Sequence, residues 1–181
     1  MPQRIHVQAS IVSSARPEEV YSLLVNSATY PLWSMIRYYE SLRSGREGLH
    51  DVGARRLFRT NAITVMREEV TDVAPNQRIG YTLLSGFPLL DYQAKTTLEK
   101  IASGTRIVWE SSFCPKYPLT AWYWRGLMAW VLRKLVKSLS EAAANPELRL
   151  KILALAQGKT TMWKSALKNS PDAVLTRNKS S

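Results

Sequence analysis

Between residues 35 and 114 the chain offers six consecutive strand-like segments with no helix among them, followed by one proline-free helical stretch from Thr120 to Ala144. This order constrains the fold more than any other feature. Strands that follow one another without crossover helices pair antiparallel. One face of such a sheet is apolar and needs a cover, and the long stretch is the only element large enough to give it. Its pattern suits the task, because Leu127, Val131, Leu135 and Leu139 recur every four positions with Met128, Leu132 and Val136 beside them. The expected strands span 35–43, 54–60, 63–73, 78–85, 92–102 and 104–114, separated by turn signals at Gly45 and Gly48, Asn61, Pro75-Asn76, Gly86 with Pro88, and Ser103-Gly104. Ahead of them, Ile5 to Ile11 alternates apolar and polar residues as a half-buried strand does. Arg16-Pro17-Glu18-Glu19 then opens a short helix, and Asn26 to Trp33 forms a second one disturbed by Pro31. The expected fold class is therefore α+β: a curved antiparallel sheet of about seven strands around a long C-terminal helix, with two short helices after the first strand. A sheet closing on one helix leaves space between them, where an apolar ligand fits.

Composition narrows the functional classes. A single cysteine, Cys114, excludes an intramolecular disulfide and a cysteine metal cluster. The N-terminal residues lack the apolar run of a secretory signal, and Leu119 to Val136 is interrupted by Arg125, Arg133 and Lys134, leaving too little to span a bilayer. A cytoplasmic location is expected. The net charge of +11 is uneven: residues 1–120 carry +3 and residues 121–181 carry +8. Such a basic third suits an anionic membrane or an acidic partner, or simply a solvated face. His6 and His50 are the only histidines, so neither a Ser-His-Asp triad nor a histidine-based metal site can be assembled. Gly158-Lys159-Thr160 fails as a phosphate loop, since position 153 is leucine where its first glycine belongs. No specific nucleic-acid motif appears, and no cofactor or metal is expected.

The residues at 56 and 68 carry the candidate site. If the strands at 54–60 and 63–73 form a hairpin with its tip near Asn61-Ala62, Arg56 stands opposite Glu68, Phe58 opposite Met66 and Ala54 opposite Val70. The apolar members of this set mark the inward face, so an arginine and a glutamate meet inside. Buried charges are costly unless paired. The pair serves either as a polar anchor for a ligand or as a fixed ion pair that sets register. In the first case burial raises the Glu68 pKa and equips it as a general acid or base.

Seven strings now suggest a family: Ala15-Arg16-Pro17-Glu18-Glu19-Val20-Tyr21, Tyr30-Pro31-Leu32-Trp33, Val52-Gly53-Ala54-Arg55-Arg56, Glu68-Glu69-Val70-Thr71, Arg78-Ile79-Gly80-Tyr81, Ser85-Gly86-Phe87-Pro88 and Gly104-Thr105-Arg106-Ile107-Val108-Trp109. In this order and spacing, over residues 3–144, the chain resembles the START/Bet v 1-like superfamily, in particular its polyketide cyclase/dehydrase-like branch. The resemblance implies the helix-grip fold and a cavity for a hydrophobic or amphipathic small molecule. It implies no single chemistry. By the same likeness, Glu68 matches a cavity glutamate of plant abscisic-acid receptors, and Tyr81, Tyr92 and Glu110 match cavity-lining positions. Glu110 depends on a turn. Two residues at Ser103-Gly104 set Leu98 opposite Trp109 and turn Trp109 inward, whereas three bring Glu110 inward opposite Thr96. The receptors' Ser-Gly-Leu-Pro gate is missing from its place, which reads Arg59-Thr60-Asn61-Ala62. Ser85-Gly86-Phe87-Pro88 lies one hairpin later, as a lid or as a plain turn.

The expected ligand-binding set is Arg56, Phe58, Glu68, Tyr81, Leu83, Tyr92 and Glu110 on the sheet, with Leu127, Val131 and Leu135 on the helix; Arg56 and Glu68 are the catalytic candidates. Residues 1–144 form the expected ligand-binding domain. Residues 145–181 form a basic extension in which Leu148, Ile152 and Leu155 share one face of a short helix over Glu147–Gln157, with another short helix over Met162–Lys168. This extension either lies on an anionic membrane or docks on the domain ahead of a disordered tail. Three functions follow: a binder of a lipid, isoprenoid or polyketide-like molecule; a cofactor-independent cyclase, aromatase or dehydratase; or a protein acting through its basic third. Monomer and dimer remain equally open.

Overall fold

The computed structural model describes residues 4–61 and 63–168, with side chains as far as Gln157. Seven strands form one antiparallel sheet: β1 (Ile5–Ser13), β2 (Tyr38–Arg43), β3 (Arg55–Arg59), β4 (Val65–Ala74), β5 (Arg78–Ser85), β6 (Leu89–Ile101) and β7 (Gly104–Pro115). Their order across the sheet is β1-β7-β6-β5-β4-β3-β2. Every neighbour after β1 is a hairpin neighbour, as the absence of crossover helices requires. Between β1 and β2 lie α1 (Pro17–Val25), a 3₁₀ turn (Ser27–Thr29) and α2 (Tyr30–Trp33). The long helix α3 (Ala121–Ala144) follows β7, and α4 (Pro146–Lys168) follows α3.

Proline at the start of α1 supplies the helical φ, and Glu19 reaches back to the Arg16 backbone N–H at 2.8 Å in a capping box. The short helices then lock onto one another. The Thr29 hydroxyl donates to the Leu23 carbonyl at 2.6 Å, the Trp33 indole N–H donates to Thr29 Oγ1 at 2.9 Å, and the Tyr30 hydroxyl donates to the Leu24 carbonyl at 3.0 Å. α3 lays Trp124, Met128, Leu132, Leu135, Val136 and Leu139 on the concave face of the sheet.

Two strand positions depart from simple alternation. β6 begins at Leu89, three residues earlier than its sequence pattern suggests, because Asp91 at φ 49° inserts an extra residue. Leu89 and Tyr92 thus both face inward across a bulge. At the far end of this hairpin the turn is Ala102-Ser103, one residue before the expected pair, with Ile101 opposite Gly104.

α4 is one helix where two pieces were expected. Its buried stripe is Ile152 and Ala156 with Leu153 partly covered, whereas Leu148 and Leu155 are exposed. The anchor that selects this stripe is polar: Arg149 binds Glu19 at 2.8 Å and donates to the Ala143 carbonyl. Residues after Lys168, the last part of the basic extension with Arg177 and Lys179, lie outside the described residues.

Candidate functional site

Between the sheet and α3 lies a cavity of about 670 Å³. This is within the range of roughly 300–1,000 Å³ typical of small-molecule sites. Its helical wall is Leu127, Met128, Val131, Leu132 and Leu135, with Trp130 at the side. Its sheet side carries Arg56, Phe58, Met66, Glu68, Tyr81, Leu83, Tyr92 and Trp109, and α2 contributes Tyr30. A second trough, of about 840 Å³, crosses the opposite face of the sheet. Its lining, including His6, Gln8, Gln93, Lys95 and Glu110, is richer in polar groups than that of the cavity under α3, and so suits a hydrophobic ligand less well.

The hairpin β3–β4 places Arg56 opposite Glu68 and Phe58 opposite Met66. Its tip is held by Asn61, whose Oδ1 accepts from the backbone N–H groups of Ile63 and Thr64. Arg56 is 3% exposed, so its guanidinium must be satisfied from inside the protein. Its Nε and Nη2 both meet Glu68 Oε2, at 3.0 and 2.9 Å, and Nη1 donates to Ser27 Oγ at 3.0 Å. Three aromatic rings surround the same cation: its Cζ lies 4.9 Å from the Tyr81 centroid, 5.0 Å from Phe58 and 5.6 Å from Tyr30. A cation held by a carboxylate, a hydroxyl and three π-faces is a stable buried charge.

Burial pushes the Glu68 carboxyl above its ordinary value, and Arg56 offsets only part of that rise. For Arg56 burial works against the charge, but Glu68, Tyr30 and Tyr81 together outweigh it and hold the guanidinium charged. Burial also raises all three cavity tyrosines, Tyr30 to about 12, so each remains a neutral phenol at physiological pH. The Trp109 indole N–H donates to the Tyr81 hydroxyl at 3.1 Å. Tyr81 and Tyr92 lie 6.4 Å apart, so the phenols and the ion pair form one polar floor beneath apolar walls.

Nine of the ten expected positions line this cavity: Arg56, Phe58, Glu68, Tyr81, Leu83, Tyr92, Leu127, Val131 and Leu135. Glu110 does not. With the turn at Ala102-Ser103, Thr96 stands opposite Trp109, and Trp109 fills the inward position at 1% exposure. Leu98 faces Ile107. Glu110 is on the outer face, paired with Lys95 at 2.9 Å. Sequence reasoning missed Ser27 and Tyr30, which reach the pair from the segment after α1. The Tyr30-Pro31-Leu32-Trp33 string was the available signal. Phe87 of the β5–β6 turn also lines the cavity and lies 5.5 Å from the Trp124 ring.

Among the described residues, no three His, Cys, Asp or Glu side chains gather as a metal would require. No helix among them is long and apolar enough to cross a membrane.

A curved seven-stranded antiparallel sheet gripping one long helix over an internal cavity defines a START/Bet v 1-like, helix-grip protein. More narrowly, residues 4–144 match the family described as polyketide cyclase / dehydrase and lipid transport, and the chain belongs to that family. Solved structures agree on the fold. A protein of Nitrosospira multiformis is 23% identical with a TM-score of 0.64, covering 80% of this chain and 99% of that one. The structure of Ara h 8.0201 is 16% identical with a TM-score of 0.61, covering 78% and 98%. A protein of Thermus thermophilus is 21% identical with a TM-score of 0.57, covering 83% and 99%. No curated protein matches the sequence.

Proposed function

We propose that this protein binds an amphipathic small molecule, its polar head on the Arg56–Glu68–Tyr92 floor and its apolar body along Leu127, Val131 and Leu135. The observation that carries this reading is a deep cavity with one buried ion pair set in largely apolar and aromatic walls. Both Arg56 contacts fall on Glu68 Oε2, so Oε1 is the oxygen that remains for a ligand hydroxyl. The family description, which joins lipid transport with cyclase and dehydrase chemistry, is in keeping with a lipid, isoprenoid or polyketide-like occupant.

Binding of the fluorescent probe 1-anilinonaphthalene-8-sulfonate tests this. Saturable binding to the wild-type protein is expected, with loss in Val131→Trp, a substitution that fills the cavity. Equal binding to the two proteins would overturn the proposal. Mass spectrometry of the denatured protein then identifies any co-purifying compound.

A second reading is catalytic and rests on the raised carboxyl of Glu68 within the cavity. Here Glu68 exchanges a proton with a polyketide-like chain, Arg56 orients it and Tyr92 donates a hydrogen bond. Glu68→Gln separates the readings: an enzyme stops converting its substrate, and a carrier releases its ligand unchanged from either protein.

A further inference from the structure

The rim of the cavity has a surface that its interior does not explain. The β3–β4 and β5–β6 turns and the end of β7 lie at one end of the sheet, because Arg59 pairs with Val65 and Leu89 with Pro115 at those ends. The chain enters α3 from the same end. Thr60, Asn61, Thr64, Phe87 and Trp130 all line the cavity there, so this end is its mouth. Around it, large apolar side chains stand in solvent: Ile63 and Leu119 are each 91% exposed, and Trp122 is 77% exposed. Tyr117, Tyr123 and Trp130 are about half exposed. Core packing does not account for them.

The charge around this mouth is predominantly positive, and the exposed acid beside it, Asp91, is paired with Arg4. Segments 34–38, 59–67, 84–90 and 111–140 contain no Asp or Glu, yet they carry Arg37, Arg59, Arg67, Lys116, Arg125, Arg133, Lys134 and Lys137. On α3, Tyr123, Leu127, Trp130 and Lys134 follow one another at spacings of four, three and four along a single stripe that runs past the cavity. Exposed tryptophan, tyrosine and leucine among an excess of cations, of which Lys137 alone has a partner, Glu141, among the ion pairs of α3, is the composition of a surface that settles into the headgroup region of an anionic bilayer. An acidic protein partner would meet the same charges, but it would not select for projecting tryptophan and isoleucine on two separate segments.

We infer that the mouth of the cavity docks on an anionic membrane through Ile63, Leu119, Trp122 and Trp130, with Arg125, Lys134 and their basic neighbours against the lipid headgroups. Docking concerns the rim and does not depend on what the cavity holds.

Flotation of the full chain with vesicles tests this, comparing phosphatidylcholine alone with phosphatidylcholine containing phosphatidylglycerol at a ratio of about 7:3. Binding to the anionic vesicles that weakens with added salt is expected. The triple variant Ile63→Ser/Leu119→Ser/Trp122→Ser is expected to lose affinity by at least about tenfold. Its circular dichroism and 1-anilinonaphthalene-8-sulfonate binding serve as controls for fold and cavity. A second variant of the full chain, with Lys164, Lys168, Arg177 and Lys179 all changed to Gln, is expected to bind nearly as well as wild type. Loss of binding in that variant with retention in the triple variant would overturn the inference and assign docking to the C-terminal tail. Absence of vesicle binding by the wild type would overturn it outright and leave the rim to an acidic protein partner.

Discussion

Arg56 is the residue on which the interior turns. It is a permanent cation, whereas its partner Glu68 can take up a proton. Their removal therefore has unequal consequences. Arg56→Met strands a buried carboxylate and should cost about 3–5 kcal/mol at neutral pH, read by urea denaturation. Without Arg56 the Glu68 pKa rises further, since Arg56 is what lowers it. A folded pKa above the unfolded value means that stability is lost as pH rises through the folded pKa. The Arg56→Met deficit should consequently shrink as pH is lowered toward the ordinary carboxylate value of 4.5. Glu68→Gln leaves a cation that cannot neutralise itself and removes the group that titrates, so the pH dependence of stability that Glu68 contributes should be absent from that variant. A deficit in Arg56→Met that does not vary with pH would show that Glu68 titrates normally. The pairing of these residues was legible because register can be counted from the hairpin tip. Glu110 was not, because one residue of error in a turn reverses the facing of a whole strand. Ser27 was invisible for another reason: its contact with Arg56 spans 29 residues and leaves no periodic trace.

Turns decide this molecule at the scale of its elements. Gly86 has φ +129°, and a Cβ there would approach the Val65 carbonyl oxygen at 2.6 Å. Gly86→Ala combines a conformation that L residues avoid with a backbone clash, and about 1–3 kcal/mol of destabilisation is expected in chemical denaturation. The change sits beside Phe87, so 1-anilinonaphthalene-8-sulfonate binding should weaken as well. The Asp91 bulge explains why the start of β6 was not legible: one inserted residue breaks the alternation that marks a strand. α3 was legible throughout, because twenty-four residues repeat the same apolar stripe. α4 was read with the wrong stripe, since Leu148 and Leu155 are more apolar than Arg149 and Ala156. An ion pair to Glu19 and the small volume of Ala156 decided the docking instead.

In the whole molecule, α4 and the site are connected. α4 packs on the 3₁₀ turn Ser27–Thr29, and Ser27 in turn holds Arg56. Ile152→Ala, outside the cavity, should cost roughly 2–5 kcal/mol. It should also weaken 1-anilinonaphthalene-8-sulfonate binding by loosening the support behind Arg56. Unchanged binding in a destabilised Ile152→Ala protein would show that α4 is a separate brace. Occupancy should stabilise the entire fold, because a ligand at one hundred times its Kd adds about 2.7 kcal/mol to the unfolding free energy. A melting temperature that rises with ligand concentration in wild type and stays constant in Val131→Trp checks this directly.

The cavity's polar floor is drawn mainly from one stretch of chain, from Arg56 to Tyr92, and its helical wall from another, Leu127 to Leu135. The two stretches meet only in space. On the proposed reading, a crossover between homologous genes after Trp109 and before Leu127 would take the sheet side of the cavity from one parent and the helical wall from the other. Helix-grip proteins built on this plan can diversify by shuffling two blocks of sequence, without first inventing a new fold.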